Sequence, residues 1–278
     1  INYPLVTLQQ LDQVEQLDPA NLPMRVTNPM SADREYLRTT LRASLLATLA
    51  ANQGHGAGPF RLFEAGRVFW PREGDLPDER ETVAGVLAGL RHEPSWLEDD
   101  SLLDFYDAKG VVELVLNRLG VLATYEPSDD PSFHPGRCAV IKVEDAVIGV
   151  VGEVHPVVMD RLGLESPQVA AFELYLGPIL AALPDGQQQF EPLPRYPSAT
   201  RDLALVMPTD VDAGQVTRLI LRHQGVDRAD LFDIYAGENL AEGTKSLAFH
   251  VYFQARDRTL TNEEVNRSLD GLLRILER

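Results

Sequence analysis

His134, His155 and Cys138 carry side chains that could bind a transition metal. His134 and His155 lie 21 residues apart, and Cys138 is the only cysteine. Structural zinc sites use four nitrogen or sulfur ligands, usually in closely spaced pairs. Each histidine is followed by proline, which favours a turn. The sequence therefore predicts no metal site, and an enzyme that uses these histidines is kept only as an alternative.

Three carboxylates around position 107 suggest a second kind of ion site. Asp104, Asp107 and Glu113 supply the oxygen ligands that Mg²⁺ prefers. However, Asp104 and Asp107 directly precede residues 109–119, which have helical periodicity. Carboxylates in the first turn of a helix interact favourably with its dipole. We therefore interpret the two aspartates as helix-capping residues.

A glycine-rich stretch at residues 54–61 fits the pattern G-x-G-x-G-x-x-R of a nucleotide-binding loop. Such a loop binds a nucleotide only in the right structural context. A strand must precede the glycines, and a helix must follow them. In this chain the glycines follow a predicted helix, Pro59 interrupts them, and a predicted strand comes next. We interpret the stretch as a connector, and we predict no ATP site and no catalytic residue.

The strongest potential for binding lies near the C-terminus. From Ser246 to Phe253, polar or small residues alternate with large apolar ones, so alternate side chains lie on opposite faces of a strand. The apolar set faces a core, and the other face stays open. Open sheet faces with aromatic and polar side chains suit unpaired bases of RNA. The predicted RNA-contacting residues are Arg201, Asp233, Tyr235, Lys245, Ser246, His250 and Tyr252. The alternative is a face covered by another protein domain.

The neighbouring elements must position these side chains. Residues 231–235 are predicted to form a strand, with Phe232 and Ile234 in the core and the residues between and after them outward. Thr261 and Glu264 form a capping box that begins a terminal helix. Its apolar stripe covers the core face of the sheet. The stripe consists of Val265, Leu269, Leu272, Leu273 and Leu276.

The order of elements predicts an α+β protein with two domains. Residues 191–278 give strand, helix, strand, strand and helix, the order of a ferredoxin-like domain. Residues 1–190 give helices among adjacent strands, which favours an antiparallel sheet. Four prolines and a glutamine run mark the connector between them, at residues 182–197.

Six elements are predicted within the first domain, the helix at residues 109–119 among them. Ser31 is a plausible cap for a helix in which Leu37, Leu41, Leu45 and Leu49 share one face. Strands are predicted at residues 61–70, 81–91 and 169–176, and a hairpin at 139–151 with its turn at Glu144 and Asp145.

Charge and composition limit the possible functions. The net charge of −17 argues against broad binding to phosphates. Residues 1–193 carry −15 of it and residues 194–278 only −2, so any RNA contact is local. No apolar run reaches the roughly 20 residues of a membrane helix, and no signal peptide is visible. An initial Ile suggests a piece of a longer polypeptide, and a single cysteine fits the cytoplasm.

Several segments together resemble the β-subunit family of phenylalanyl-tRNA synthetases. In the second domain they are Tyr196–Met207, Leu231–Tyr235, Gly243–Phe253 and Arg258–Val265; the family's domain there is a ferredoxin-fold anticodon-binding domain. In the first domain they are Asn28–Ser31, Leu37–Leu41, Leu62–Phe69, Asp104–Gly110, Phe133–Arg137 and Gly152–Pro156. These resemble the catalytic-like module, a class II synthetase fold without chemistry.

The resemblance implies a non-catalytic role within a larger enzyme. It implies packing against a catalytic α subunit in an α2β2 assembly, contact with tRNA(Phe), and ATP and Mg²⁺ bound through the α subunit. The family's last domain ends in a fourth strand, and this chain stops before it. The alternative function is a protein-interaction module with no RNA role.

Overall fold

The structure is a computed structural model that describes residues 3–15, 17–18, 22–29, 31, 34–54, 59–72, 74–184, 194–237 and 239–277. The chain divides into two compact units, Ile1–Gln187 and Gln188–Arg278. The glycine-rich stretch at 55–58 and residues 185–193 of the predicted connector lie outside the described residues. None of the described helices is both long and apolar enough to cross a membrane.

The elements of the N-terminal unit are β1 (Leu5–Val6), α1 (Leu8–Val14), β2 (Tyr36–Leu37), α2 (Arg42–Gln53), β3 (Phe60–Trp70), β4 (Asp78–Ala88), α3 (Phe105–Arg118), β5 (Thr124–Pro127), β6 (Phe133–Val143), β7 (Ala146–Val154), α4 (Pro156–Leu162), β8 (Val169–Tyr175) and α5 (Leu176–Ala181). The elements of the C-terminal unit are β9 (Ala199–Pro208), α6 (Ala213–Leu221), β10 (Val226–Tyr235), β11 (Thr244–Phe253) and α7 (Asn262–Leu276).

A six-stranded antiparallel sheet organises the N-terminal unit, in the order β3-β4-β8-β7-β6-β5. Its central strands are buried on both faces, since β8 has six consecutive buried residues. One core joins the sheet to α1, α2 and α4, and a second joins it to α3 and α5. The predicted α+β class with an antiparallel sheet is therefore confirmed.

The predicted strands and hairpin of this unit are present as β3, β4, β6, β7 and β8. The hairpin turns at Glu144, which adopts a positive φ of 53°. The predicted start of the first long helix was wrong. Leu37 lies in β2, paired with Leu5, and α2 begins only at Arg42. Leu37 continues the four-residue spacing of the leucines only by chance. Local periodicity cannot show that this residue belongs to a strand and not to the helix.

The C-terminal unit has a sheet in the order β10-β11-β9, covered on one face by α6 and α7. The alternation in β11 is as predicted: Leu247, Phe249, Val251 and Phe253 are all fully buried. The Thr261 hydroxyl accepts the Glu264 amide and the Glu264 carboxylate accepts the Thr261 amide, so the capping box begins α7 as predicted. Burying each large side chain contributes about 1.5–3 kcal/mol, so this face holds the unit together.

The prediction that Phe232 and Ile234 belong to the core was wrong. Their side chains are 51 % and 53 % exposed. For Phe232 the cause is a β-bulge, because Leu231 pairs with Phe249 while Asp233 already pairs with Ala248, which leaves Phe232 without a partner in β11. Ile234 pairs with Leu247 on the helix-covered face, as predicted, but it lies in the edge strand β10 and stays half exposed. A bulge adds one residue to a strand and shifts the side-chain alternation.

Candidate nucleic-acid interface

The surface of the C-terminal sheet opposite α6 and α7, which we call the open face, consists of four rows of paired residues. Pairing in an antiparallel sheet places partners on the same face. From one end to the other, the rows are Thr200–Tyr252–Arg228, Asp202–His250–Asp230, Ala204–Ala248–Asp233 and Val206–Ser246–Tyr235. Five of the seven predicted RNA-contacting residues therefore share this face.

At one end of the open face, Asp233, Tyr235 and Ser246 lie close together. Tyr235 pairs with Ser246, and its side chain is 43 % exposed. Asp233 is one row away, beside Ala248. Within the described part of the chain, the side chains of Asp233 and Ser246 make no hydrogen bond. They are therefore available to a ligand, beside an exposed aromatic ring.

His250 lies further along the open face and is held by two neighbours. Its imidazole stacks on the ring of Phe232, with centroids 4.0 Å apart and planes 14° apart. Its Nδ1 lies 2.7 Å from Oδ1 of Asp202. The orientation of the imidazole is thus fixed by a stacking contact and a polar contact at once.

Tyr252 in the next row is covered by a cation. The Arg228 guanidinium lies 4.0 Å from the centre of the Tyr252 ring. Arg228 Nε also lies 3.1 Å from Asp230 Oδ2. The pairing holds the guanidinium above the ring, at a distance where the cation–π interaction is favourable.

Arg201 and Lys245, the other two predicted residues, do not belong to this face. Arg201 pairs with Val251 of the core, and its Nη2 donates to Asn262 Oδ1 of α7 at 3.1 Å. Lys245 pairs with Met207, and its Nζ donates to the Thr209 carbonyl at 2.9 Å. Arg201 thus contacts the helix-covered side of the sheet, and Lys245 contacts the end of the sheet. Neither residue belongs to the open face.

Four residues with a charged or aromatic side chain on the open face were not predicted from the sequence as binding residues: Asp202, Arg228, Asp230 and Phe232. The alternation of side chains in β9 would have placed Asp202 on the open face, because the next residue, Leu203, is buried. No sequence signal located the bulge at Phe232.

The charges of the open face favour bases over phosphates. Asp202, Asp230 and Asp233 supply three carboxylates against the single guanidinium of Arg228. A phosphate above this surface would be repelled. Carboxylates accept hydrogen bonds from the amino groups of bases, and the rings offer stacking surfaces. The face is therefore suited to unpaired bases whose phosphates point away from the sheet.

Of the N-terminal side chains considered for ion binding, Asp104, Asp107 and His155 have structural contacts, whereas Nδ1 of His134 is buried without a hydrogen-bond partner among the described residues. Asp104 is the N-cap of α3 and forms a capping box with Asp107, as predicted. His155 caps α4, accepting the Val157 amide at Nδ1. Burial raises the pKa of the Cys138 thiol to about 11, which makes it a poor nucleophile at neutral pH. Across the described ranges, no group of three or more His, Cys, Asp or Glu side chains is placed to hold a metal ion.

A buried charge cluster lies between α1, α2 and the sheet of the N-terminal unit. Arg42 is 6 % exposed and lines a cavity of about 370 Å³. It contacts Asp130 at 2.9 Å, Glu173 at 3.3 Å and Glu15 at 3.4 Å. Burial raises the pKa of Glu15 above its usual value despite Arg42. Since every donor nitrogen of Arg42 already has a partner, we interpret the cluster as a structural link between the segments.

The comparisons with known proteins agree with this division. Residues 1–176 match the family described as "Phenylalanyl tRNA synthetase beta chain CLM domain". Residues 194–278 match the "Ferredoxin-fold anticodon binding domain". The two matches cover the two units separately.

The individual relatives described next are all phenylalanine–tRNA ligase β subunits. A phenylalanine–tRNA ligase β subunit of Dehalococcoides mccartyi is 38 % identical over 91 % of this chain and 31 % of its own length. Those of Syntrophotalea carbinolica and Bacillus cereus are 34 % and 35 % identical, over 99 % and 100 % of this chain and 35 % of their own lengths. The chain thus spans about a third of the curated relatives it matches. With its larger unit matched by the β-chain model and its smaller one by the anticodon-binding model, this chain belongs to the phenylalanyl-tRNA synthetase β-chain family.

Proposed function

We propose that this chain is a non-catalytic part of a phenylalanine–tRNA ligase and contacts the anticodon region of tRNA(Phe) through the open face. The observation that carries the proposal is the shared surface of Asp233, Tyr235 and Ser246, an exposed ring flanked by unpaired polar groups. The match of residues 194–278 to an anticodon-binding domain supports it. Autonomous affinity is expected to be low, because the open face carries more acidic than basic groups.

Within this proposal, chemistry belongs to another subunit. The N-terminal unit is a class II synthetase-like module that scaffolds a catalytic α subunit in an α2β2 enzyme of the cytoplasm. ATP and Mg²⁺ bind through the α subunit. Our assignment of Asp104, Asp107 and Arg42 to structural contacts supports a module without its own chemistry.

The surface proposed for the α subunit is the exposed apolar side of α3. Val111, Val115 and Leu119, spaced four residues apart, line an apolar cavity of about 440 Å³ together with Phe63. Phe63 is 78 % exposed, and Leu114 beside them on α3 is 60 % exposed. A contiguous apolar surface of this kind is typical of a protein interface.

The RNA contact is tested by aminoacylation and filter binding with the complete ligase that contains this chain. Tyr235→Ala should weaken binding of tRNA(Phe), because stacking on an aromatic ring contributes about 1–3 kcal/mol. Tyr235→Phe keeps the ring and should bind nearly as the wild type. The loss should shrink with tRNA whose anticodon is substituted. Unchanged kinetic constants for tRNA in Tyr235→Ala would leave the chain a protein-interaction module.

The α-subunit contact is tested by native mass spectrometry of the reconstituted enzyme. Leu114→Glu should reduce the fraction of assembled complex, because it places a charge in the apolar surface. Leu76→Glu makes the same change at a leucine that is 78 % exposed in the β3–β4 turn, and it should assemble normally. Equal assembly of both variants would show that α3 does not contact the α subunit.

A further inference from the structure

The bulge in β10 creates an exposed aromatic stack on the open face. Phe232 is the unpaired residue between Leu231, which pairs with the buried Phe249, and Asp233, which pairs with Ala248 of the open face. It lies over His250, and about half of its side chain stays in contact with solvent. Bulges re-aim side chains and recur next to functional sites. A half-exposed aromatic ring offers surface on which a planar ligand can stack.

Neighbouring residues hold the His250 ring of the stack in a fixed orientation. His250 cannot rotate freely, because Asp202 holds its Nδ1 and Phe232 covers its ring. In the adjacent row, the Arg228 guanidinium lies over the Tyr252 ring, 4.0 Å from its centre. His250 and Tyr252 are two residues apart on β11, which places the two stacks about 7 Å from each other. Two planar groups therefore face outward side by side.

The stack is separate from the Tyr235 end of the open face. Ser246, the partner of Tyr235, is four residues from His250, or about 13 Å along the strand. Between them lies the row Ala204–Ala248–Asp233, whose two alanines have small side chains. At this separation a single base cannot cover both rings.

We propose that the Phe232–His250 stack is a second base-stacking site, which binds another unpaired nucleobase of the same tRNA loop. The inference rests on the proposed RNA contact and adds a position to it. A nucleobase fits because it is planar and apolar on its faces and carries amino groups at its edge, where Asp202 and Asp230 accept hydrogen bonds. Its phosphate lies away from these carboxylates.

The test uses the complete ligase and tRNA(Phe) transcripts with 2-aminopurine at one anticodon-loop position at a time. The fluorescence of this base is quenched when it stacks. Phe232→Leu keeps apolar volume and removes the ring, and we expect it to abolish quenching at one position and weaken binding by about 5- to 150-fold. Phe232→Trp should preserve both. Tyr235→Ala should abolish quenching at a different position.

The outcomes separate the two ideas. If Phe232→Leu binds and quenches like the wild type while Tyr235→Ala does not, the second site is refuted and the RNA contact stands. If neither variant changes binding, both the RNA contact and the second stacking site are refuted. If Phe232→Leu reduces assembly with the α subunit instead, the stack is a protein contact and the inference is overturned. Melting temperatures within about a degree of wild type would show that no variant acts by unfolding, since surface changes cost little.

Discussion

A Cβ atom built on Gly237 would lie 2.5 Å from the phenol oxygen of Tyr235. The Tyr235 side chain therefore folds back over the chain just after β10, and glycine is the residue that leaves room for it. We predict that Gly237→Ala displaces the Tyr235 ring and weakens tRNA(Phe) binding by the complete ligase about fivefold or more, near the lower limit for a lost stack. Gly214→Ala in α6, where a Cβ meets only an ordinary contact, is the control. Equal affinities for both would show that the orientation of Tyr235 is irrelevant.

The second prediction concerns the buried charge cluster. Arg42→Leu leaves Glu15, Asp130 and Glu173 facing each other without a cation, and breaking a buried pair in this way costs about 3–5 kcal/mol. Urea unfolding followed by tryptophan fluorescence reports on this unit, because both tryptophans, Trp70 and Trp96, belong to it.

The control for this prediction is Arg67→Leu. It removes an exposed pair with Glu79 and should change the free energy of unfolding by less than about 1 kcal/mol. Similar losses in the two variants would contradict the structural role of Arg42.

The third prediction follows from the capping box of α7. Hydrogen bonds from Arg258 and from the Thr261 amide lower the pKa of Glu264 to about 2. A carboxylate with a lowered folded pKa stabilises the fold above its unfolded pKa of 4.5 and loses this contribution as the pH falls towards 2. In Glu264→Gln, the melting temperature of the C-terminal unit should fall less between pH 5 and pH 3 than in the wild type. Glu263→Gln removes a charge outside the capping box and serves as the control. The same dependence of melting temperature on pH in both variants would contradict this role of Glu264.

The fourth prediction tests the two faces of the C-terminal sheet. Phe249 is fully buried and Phe232 is half exposed. Phe249→Ala should cost about 3–5 kcal/mol in the free energy of unfolding, the usual range for a buried Phe. Phe232→Ala should cost clearly less, because much of its ring is already in water. Equal costs by urea unfolding of the C-terminal unit would place Phe232 back in the core.

The candidate site was predictable where one strand decides the direction of a side chain. His250 and Tyr252 follow from the alternation in β11, since an uninterrupted strand has a period of two. Arg201 was predicted as an RNA contact, but its donation to Asn262 depends on where α7 packs, which no local pattern contains.

The sequence by itself determined the family, the two units, the α+β class and the buried face of β11, because these depend on local periodicity, capping residues and motif order. Only the tertiary structure decided the side on which Phe232 lies and the partners of Arg42. The bulge depends on the pairing of β10 with β11, and the Arg42 cluster joins residues up to 158 positions apart, from Glu15 to Glu173. Pairing register and long-range charge contacts are set by global packing, where the free energies of many residues are minimised together.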